Sequence, residues 1–272
     1  MFGKPIDPAT ARILVVNDDG YRATGIGLLE KVARQLSRDV WVVAPETEQS
    51  AVSHSLTIRR PLRVRKLKGN RYAVDGTPTD CVMLAVQEIM KDKPPTLCLS
   101  GINRGGNLGD DVTYSGTIAA AMEATILGVP SIALSQVLTA PHPVKWATAE
   151  HHAETTIRHI LKLGWPAETL INVNFPDVPA ANVRGVAAAR QGRYKTGDEI
   201  VRNLDPRGEP YFWIGAARRG HDTRAGTDIH SCDRGWISVT PIFLDLTHKA
   251  TLKRFSASLT KASTQASKGR RA

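Results

Sequence analysis

The chain has few cysteines, and their spacing excludes two kinds of stabilised site. Cys81, Cys98 and Cys232 are the only three in 272 residues, and no Cys-x-x-Cys pair is present. A zinc knuckle needs closely spaced cysteine pairs, and a disulfide framework needs an even set, so neither is predicted. This pattern favours a reduced, cytoplasmic setting.

The sequence also lacks long apolar runs and several common catalytic motifs. No stretch approaches the roughly 20 apolar residues that cross a bilayer, and residues 1–10 contain no signal-like apolar region, so no membrane association is expected. The chain contains no complete dinucleotide-binding fingerprint, P-loop, Gly-x-Ser-x-Gly elbow or His-Glu-x-x-His helix. The enzyme classes that depend on those motifs are therefore not predicted.

The net charge of +10 is concentrated at the C-terminus. From Lys249 onward the chain has seven Lys or Arg residues and no acidic residue, which leaves 10 − 7 = +3 for the remainder. The small, polar composition of residues 249–272 predicts a disordered basic tail. A solvated tail is one interpretation; weak, salt-sensitive contact with RNA or another anionic surface is the other.

Most of the chain alternates between strand and helix patterns. Apolar, β-branched runs predict strands at 12–16, 40–44, 96–100, 130–135 and 170–174, and three short strands at 56–60, 62–66 and 71–74. Apolar spacings of three and four, or a capped start, predict helices at 26–36, 77–90, 116–127 and 144–163. This order indicates an α/β fold whose mostly parallel sheet has helices on both faces.

The pattern changes after Pro176. Strand-like segments at 183–189, 211–214 and 236–241 predict either a β-hairpin or arm that packs on a partner subunit, or an extension of the same sheet. We therefore divide the chain into an N-terminal extension (1–11), one α/β domain (12–248, with the β-arm at about 183–235) and the basic tail (249–272).

Polar residues follow several of the predicted strands. Asn17-Asp18-Asp19-Gly20 comes directly after the first strand, Ser50 lies beyond the second, and Asn103 follows the strand at 96–100. Taken alone, the tetrapeptide is equally readable as a turn. Because parallel strands end at one edge of a sheet, however, Asp18, Asp19, Ser50 and Asn103 are expected to share a crevice. Their oxygens form an incomplete shell suited to Mg²⁺ or Mn²⁺.

A glycine-rich loop, residues 101–116, lies between a predicted strand and a predicted helix. Such a loop is often purely structural, but its glycines also allow backbone N–H groups to approach an anion. Ser115, Gly116 and Thr117 open the following helix, whose positive end favours phosphate. We therefore predict phosphate binding by these three residues, together with Asn107.

Five ordered motifs together resemble one family, the SurE 5'/3'-nucleotidases (stationary-phase survival proteins). They are Asn17-Asp18-Asp19-Gly20, Val43-Ala44-Pro45 with Gln49-Ser50-Ala51 and His54-Ser55, Gly76-Thr77-Pro78-Thr79-Asp80-Cys81-Val82, Ser100-Gly101-Ile102-Asn103-Arg104-Gly105 with Asn107, and Ser115-Gly116-Thr117. The resemblance implies a Rossmann-like core and homodimers or homotetramers joined by a C-terminal arm. It also implies a divalent-metal-dependent phosphomonoesterase that acts on nucleoside monophosphates.

Carried over residue by residue, the metal ligands of the family correspond to Asp18, Asp19, Ser50 and Asn103. We expect one Mg²⁺ or Mn²⁺ per subunit, with Co²⁺ also acceptable, and hydrolysis of nucleoside 5'- and 3'-monophosphates by metal-activated water. Asp18 and Asp19 are the predicted catalytic residues, and Asp19 is the candidate that orients or deprotonates the water. Two alternatives remain open: an Asp-nucleophile phosphatase, and a non-catalytic nucleotide- or RNA-binding protein that uses the glycine-rich loop and the tail.

Overall fold

The computed structural model describes residues 3–139, 142–193, 195–196, 199–215, 218–219, 222 and 224–269. Its strands are β1 (Arg12–Val16), β2 (Asp39–Pro45), β3 (Val64–Lys66), β4 (Arg71–Val74), β5 (Leu97–Arg104), β6 (Ser131–Gln136), β7 (Thr169–Phe175), β8 (Val186–Ala188), β9 (Lys195–Thr196), β10 (Glu199–Leu204), β11 (Pro210–Gly215), β12 (Arg218–Arg219) and β13 (Ile237–Phe243). Its helices are α1 (Thr24–Leu36), α2 (Pro78–Leu84), α3 (Gly116–Ile126), α4 (Trp146–Leu163), α5 (Asp228–Asp233) and α6 (Lys249–Gly269).

A nine-stranded sheet forms the centre of the fold, in the order β3-β4-β2-β1-β5-β6-β7-β13-β8. The pairs β4–β2, β2–β1, β1–β5, β5–β6, β6–β7 and β13–β8 are parallel, and β3 pairs antiparallel with β4 at one edge. The order runs outward in both directions from β1, as in doubly wound α/β folds. The predicted α/β class with a mostly parallel, Rossmann-like sheet is confirmed.

Alternate residues of β1 point into two separate cores. Ile13 and Val15 pack with α1 and α4 on one face, whereas Leu14 and Val16 pack with α2 and α3 on the other. All four side chains are fully buried, as expected for a central parallel strand that is covered on both faces. The same alternation determines the faces toward which the residues after β1 are directed.

Local sequence signals account for the helix positions. In α1, the predicted apolar positions Ile26, Leu29, Val32, Ala33 and Leu36 are all buried. The start of α2 is the predicted one, because the Thr77 hydroxyl accepts from Asp80 N while the Asp80 carboxylate accepts from Thr77 N. This reciprocal capping box satisfies two amides that the first helical turn leaves unpaired. A π-helical turn, Ala85–Ile89, continues the chain after α2.

Two predicted strand segments differ from the structure. Residues 56–60 contain no strand. In contrast, β5 continues past the predicted end at residue 100 to Arg104, with an irregular register between Ser100 and Asn103. Gly101 permits this path: its φ is +131°, and a Cβ there would lie 2.2 Å from the Leu134 carbonyl oxygen. Asn103 therefore lies within an irregular strand end rather than in a free loop.

The region after Pro176 contains both predicted alternatives. β13 and β8 extend the central sheet, whereas β10 and β11 form a separate antiparallel hairpin. The hairpin exposes large apolar side chains, including 66% of Trp213 and 74% of Ile214. Residues 194, 197–198, 216–217, 220–221 and 223 of the predicted arm lie outside the described residues. The role of the arm in oligomerisation stays a prediction.

The chain divides into two compact units, Met1–Ile242 and Phe243–Ala272. In the second unit, α6 is helical where the composition predicts disorder, and residues 249–259 are all exposed. Ala, Leu, Lys and Arg are good helix formers, which accounts for a helix over residues 249–259 although these residues are exposed. No helix among the described residues is long and apolar enough to cross a membrane. Cys81, Cys98 and Cys232 are free, buried thiols; the cytoplasmic setting stays a prediction.

Candidate active site

The two adjacent carboxylates after β1 are directed to opposite faces of the sheet. Asp18 contacts the first residues of α3, whereas Asp19 contacts the backbone of Arg104 at the end of β5. This follows from the alternation in β1, where even-numbered residues face α2 and α3 and odd-numbered residues face α1 and α4. A single strand end thus presents one carboxylate on each side of the sheet edge.

Asp18 is buried at the N-terminus of α3. Its Oδ1 accepts a hydrogen bond from the Thr117 hydroxyl, and only 5% of the residue is exposed. Gly116 makes this approach possible, because a Cβ at that position would lie 2.7 Å from Asp18 Cβ. Burial raises the pKa of Asp18 to about 6, against the opposing effect of the Thr117 hydrogen bond, and the nearby Asp19 charge adds to the rise.

Asp19 is less buried than Asp18 and lies beside the Glu48 carboxylate and the Arg104 guanidinium. Its Oδ2 accepts from Arg104 N at 3.3 Å. Burial raises the pKa of Asp19, the hydrogen bond from Arg104 N opposes the rise, and the Glu48 carboxylate adds to it. The Arg104 guanidinium also lowers this pKa. Asp19 therefore shares its surroundings with a second carboxylate, which the sequence reasoning did not single out.

Ser50 lies on the loop that follows β2. The Ser50 hydroxyl is exposed and donates to Glu48 Oε1 at 2.8 Å. The neighbouring Gln49 N donates to the backbone carbonyl of Asp18 at 2.8 Å, which fixes the start of this loop against the end of β1. Farther along, His54 Nε2 lies 2.8 Å from Glu123 Oε2 of α3. The loop thus crosses from Asp18 to α3 while its Ser50 side chain is directed to Glu48.

The remaining predicted site residues have partners of their own. Asn103 Nδ2 donates to the Gly105 carbonyl at 3.0 Å, and this leaves its side-chain oxygen for another ligand. Asn107 Nδ2 donates to Ser135 Oγ at 2.7 Å, within a buried amide network that also includes Asn172 and Asn174. Ser115 caps α3, because its Oγ accepts from Ile118 N at 3.1 Å. The metal and phosphate roles of these residues stay predictions.

The donor set at the end of β1 fits a hard divalent cation. Asp18 and Asp19 supply carboxylates, and neither forms an ion pair with a basic side chain in the part of the chain that the structure describes. Asn17 Oδ1 is buried beside them without a hydrogen-bond partner among the described residues. Those residues include no group of three or more His, Cys, Asp or Glu side chains arranged as a metal centre. A cation here therefore depends on two carboxylates with neutral oxygen donors, as Mg²⁺ and Mn²⁺ accept.

A cleft of about 400 Å³ opens beside Asp19 on the face of α1 and α4. It is lined by Asp19, Ala23, Thr24, Gly25, Glu48, Arg104, Val144 and Trp146. Of these residues, only Asp19 was predicted to belong to the site. Val144 and Trp146 come after β6 in the chain, just as the predicted site residues come after other strands. Their position in the sequence was therefore a signal that they could lie near the site. Glu48 and Arg104 carried the weaker signal of lying next to predicted ligands.

Comparison with known proteins gives a consistent match. Residues 13–198 match the family model described as "Survival protein SurE". A 5'-nucleotidase SurE from Paramagnetospirillum magneticum is 64% identical over 252 residues, covering 93% of this chain and 97% of the relative. A 5'-nucleotidase SurE from Parvibaculum lavamentivorans is 53% identical and covers 91% of both chains.

A solved structure agrees with these sequence matches. The crystal structure of the SurE protein from Aquifex aeolicus superposes with a TM-score of 0.79 at 41% identity. The match covers 90% of this chain and 98% of the Aquifex aeolicus chain. The likeness therefore includes nearly the whole fold.

Proposed function

This chain belongs to the SurE family, and we propose that it is a divalent-metal-dependent phosphomonoesterase that hydrolyses nucleoside 5'- and 3'-monophosphates to nucleoside and phosphate. The printed activity of both relatives, 5'-nucleotidase, supports the substrate class. The observation that carries the proposal is the carboxylate pair after β1. Asp18 is buried against the N-terminus of α3, and Asp19 faces the open cleft.

Four residues would hold one cation per subunit: Asp18, Asp19, Ser50 and Asn103. The cation would be Mg²⁺ or Mn²⁺, with Co²⁺ acceptable to the same oxygen donors. When bound, it supplies Lewis-acid activation of the phosphoryl group and of the attacking water. Ser50 would join this set by giving up its hydrogen bond to Glu48, and the neighbouring Gln49 N, which donates to the Asp18 carbonyl, holds this part of the loop beside the end of β1.

The two carboxylates have different tasks because their surroundings differ. Asp18 is enclosed by α3 and has little access to water, so it acts as a fixed ligand. Asp19 lines the cleft, and there it orients the attacking water and accepts its proton. The first amides of α3, at Gly116 and Thr117, lie at the positive end of the helix and stabilise charge on the phosphoryl oxygens.

The exposed hairpin supports a homodimer or homotetramer. β10 and β11 expose large apolar side chains on both faces of the hairpin, with Ile200, Phe212 and Ile214 on one face and Trp213 on the other, each more than half exposed. Large exposed apolar surfaces of this kind mark protein contacts. A Trp213→Ser, Ile214→Ser double variant should lower the molar mass measured by light scattering. An unchanged mass would show that the hairpin is not part of the subunit interface.

Phosphate release from a panel of nucleoside 5'- and 3'-monophosphates tests the activity and its ligands together. Wild-type protein with Mn²⁺ should release phosphate, whereas Asp18→Asn and Asp19→Asn should lose most turnover. Asn103→Ala and Ser50→Ala should require more Mn²⁺ for half-maximal activity. Near-normal turnover by Asp18→Asn at low Mn²⁺ would overturn the ligand assignment, and no release from any nucleotide would overturn the activity.

A further inference from the structure

We propose that the cleft beside Asp19 is the nucleoside-binding subsite, in which the base stacks on Trp146. The inference rests on the proposed phosphomonoesterase function and assigns a position to the part of the substrate that does not react. Asp19 belongs both to the carboxylate pair and to the cleft wall, so a phosphate ester held at the pair has its leaving group at the cleft mouth. On the α3 side Gly116 lies directly against Asp18, whereas the cleft on the Asp19 side is open.

The size and lining of the cleft suit a nucleoside. Its volume of about 400 Å³ lies within the range of roughly 300–1,000 Å³ typical of small-molecule sites. Trp146, Val144 and Ala23 supply an aromatic and apolar wall, and the Thr24 hydroxyl and the Glu48 carboxylate supply hydrogen-bonding groups. An indole face accepts any base by stacking. A carboxylate accepts hydrogen bonds from ribose hydroxyls.

The charges around the cleft argue against a second phosphate as its occupant. The Asp19 carboxylate belongs to the cation site, and the other two charged lining residues, the Glu48 carboxylate and the Arg104 guanidinium, balance each other. A neutral, hydroxyl-bearing group is therefore favoured over an anion inside the cleft. This polarity orients the substrate, with its phosphate toward the carboxylate pair and its nucleoside toward Trp146.

Trp146 is held rigidly enough to act as a stacking surface. It is the first residue of α4, is half-buried, and packs against the core formed with α1. Its ring comes within 3.3 Å of the position that a Cβ on Gly25 would occupy, so α1 supports one edge of the indole. The preceding Lys145 is fixed by Asp177, with Nζ and Oδ1 2.8 Å apart. A preorganised aromatic face binds a base at a low entropic cost.

Two phosphate esters separate base stacking from other roles of Trp146. Adenosine 5'-monophosphate and ribose 5-phosphate share the reacting phosphate and the sugar, but only the first has a base. We expect Trp146→Leu to raise KM for the nucleotide by on the order of tenfold, the usual effect of a lost base–aromatic stack. KM for ribose 5-phosphate and both kcat values should change little, and Trp146→Phe should restore most of the nucleotide affinity.

Trp41→Leu is a matched control. Trp41 is also half-buried, but it lies near the start of β2, away from the strand ends that form the site, and its ring stacks on Tyr72 with centroids 6.1 Å apart. This variant should leave the ratio of the two KM values unchanged. An equal rise in both KM values for Trp146→Leu, or no rise in either, would overturn the subsite.

A binding measurement keeps the inference testable apart from turnover. Adenosine added to EDTA-treated protein should quench tryptophan fluorescence in wild type and in Trp41→Leu, and the quenching should be absent in Trp146→Leu. If no variant releases phosphate but this pattern of quenching is seen, the proposed function fails and the nucleoside subsite stands. If phosphate is released and wild-type fluorescence does not respond to adenosine, the function stands and the subsite is wrong.

Discussion

Replacing Asp18 with Asn should make the metal-free protein more stable while it removes activity. In the folded state, burial holds the pKa of the Asp18 carboxyl at about 6, above its ordinary value of 3.8. The folded state therefore binds the proton more tightly than the unfolded state, and ionised Asp18 destabilises the fold as pH rises from about 4 to about 6. Asn carries no charge, and its oxygen can still accept the Thr117 hydrogen bond.

The pKa difference sets the size of the effect. At about 1.36 kcal/mol per unit, the shift from 3.8 to about 6 corresponds to about 3 kcal/mol above pH 7. At about pH 4.5 most of the penalty is absent, and about 1 kcal/mol remains. Asp18→Asn should thus raise the free energy of unfolding by up to about 3 kcal/mol at high pH, with a smaller gain at low pH.

Urea unfolding followed by circular dichroism, in EDTA at about pH 4.5 and about pH 8, measures this difference. Added Mn²⁺ should stabilise wild-type protein, because the cation binds only the folded state, and should have little effect on Asp18→Asn. If Asp18→Asn is no more stable than wild type at high pH, or if the difference is the same at both pH values, the reasoning about a buried, cation-binding carboxylate is refuted.

Three further predictions test the surroundings of the site. Gly116→Ala should lower the free energy of unfolding by about 1–3 kcal/mol and remove most turnover, because the added Cβ would collide with Asp18. Gly27→Ala is the control: its Cβ meets no atom within 4 Å, so stability and turnover should not change. Urea unfolding measures the stability, and phosphate release measures the turnover. Burial raises the pKa of Asp177, but hydrogen bonds from Lys145 and Thr139 lower it to about 2. Asp177→Asn should therefore cost about 1–2 kcal/mol at neutral pH, after allowance for solvent screening, and much less as the pH falls to about 2. A loss in urea unfolding that does not change with pH would contradict this. Removal of residues 249–272 should weaken RNA retention at low salt, as measured on an RNA column, and leave phosphate release unchanged; lost turnover would make the tail part of the enzyme.

The meeting of Asp18 with the start of α3 at one sheet edge was predictable, because that inference needs only the positions of strands and helices. Asp18 follows β1, and Thr117 lies in the first turn of α3, 99 positions later. The two elements meet at one edge of the sheet, where the Thr117 hydroxyl donates to Asp18. The capping box of α2 was equally predictable, since Thr77 and Asp80 interact within a single helical turn. Such features follow from local chemistry or from simple rules about parallel sheets.

Features that depend on loop paths were not predictable. Sequence reasoning ended β5 at residue 100, because the continuation to Arg104 depends on how closely Gly101 approaches Leu134. The Oγ of Ser115 also accepts from Ile118 N to cap α3, a contact that was not predicted, while phosphate binding by Ser115 stays a prediction. Trp146 was assigned to a helix without a role, since its position beside Asp19 depends on the packing of α4 against α1.

Phosphate release by EDTA-treated protein, before and after Mn²⁺ is added back, tests the central claim most directly. We expect no release from a nucleoside 5'-monophosphate in EDTA and full recovery as Mn²⁺ approaches one ion per subunit. Asp18→Asn, folded and at least as stable as wild type, should show no such recovery. Release that persists in EDTA, or equal recovery by Asp18→Asn, would contradict a cation held by the carboxylates at the end of β1.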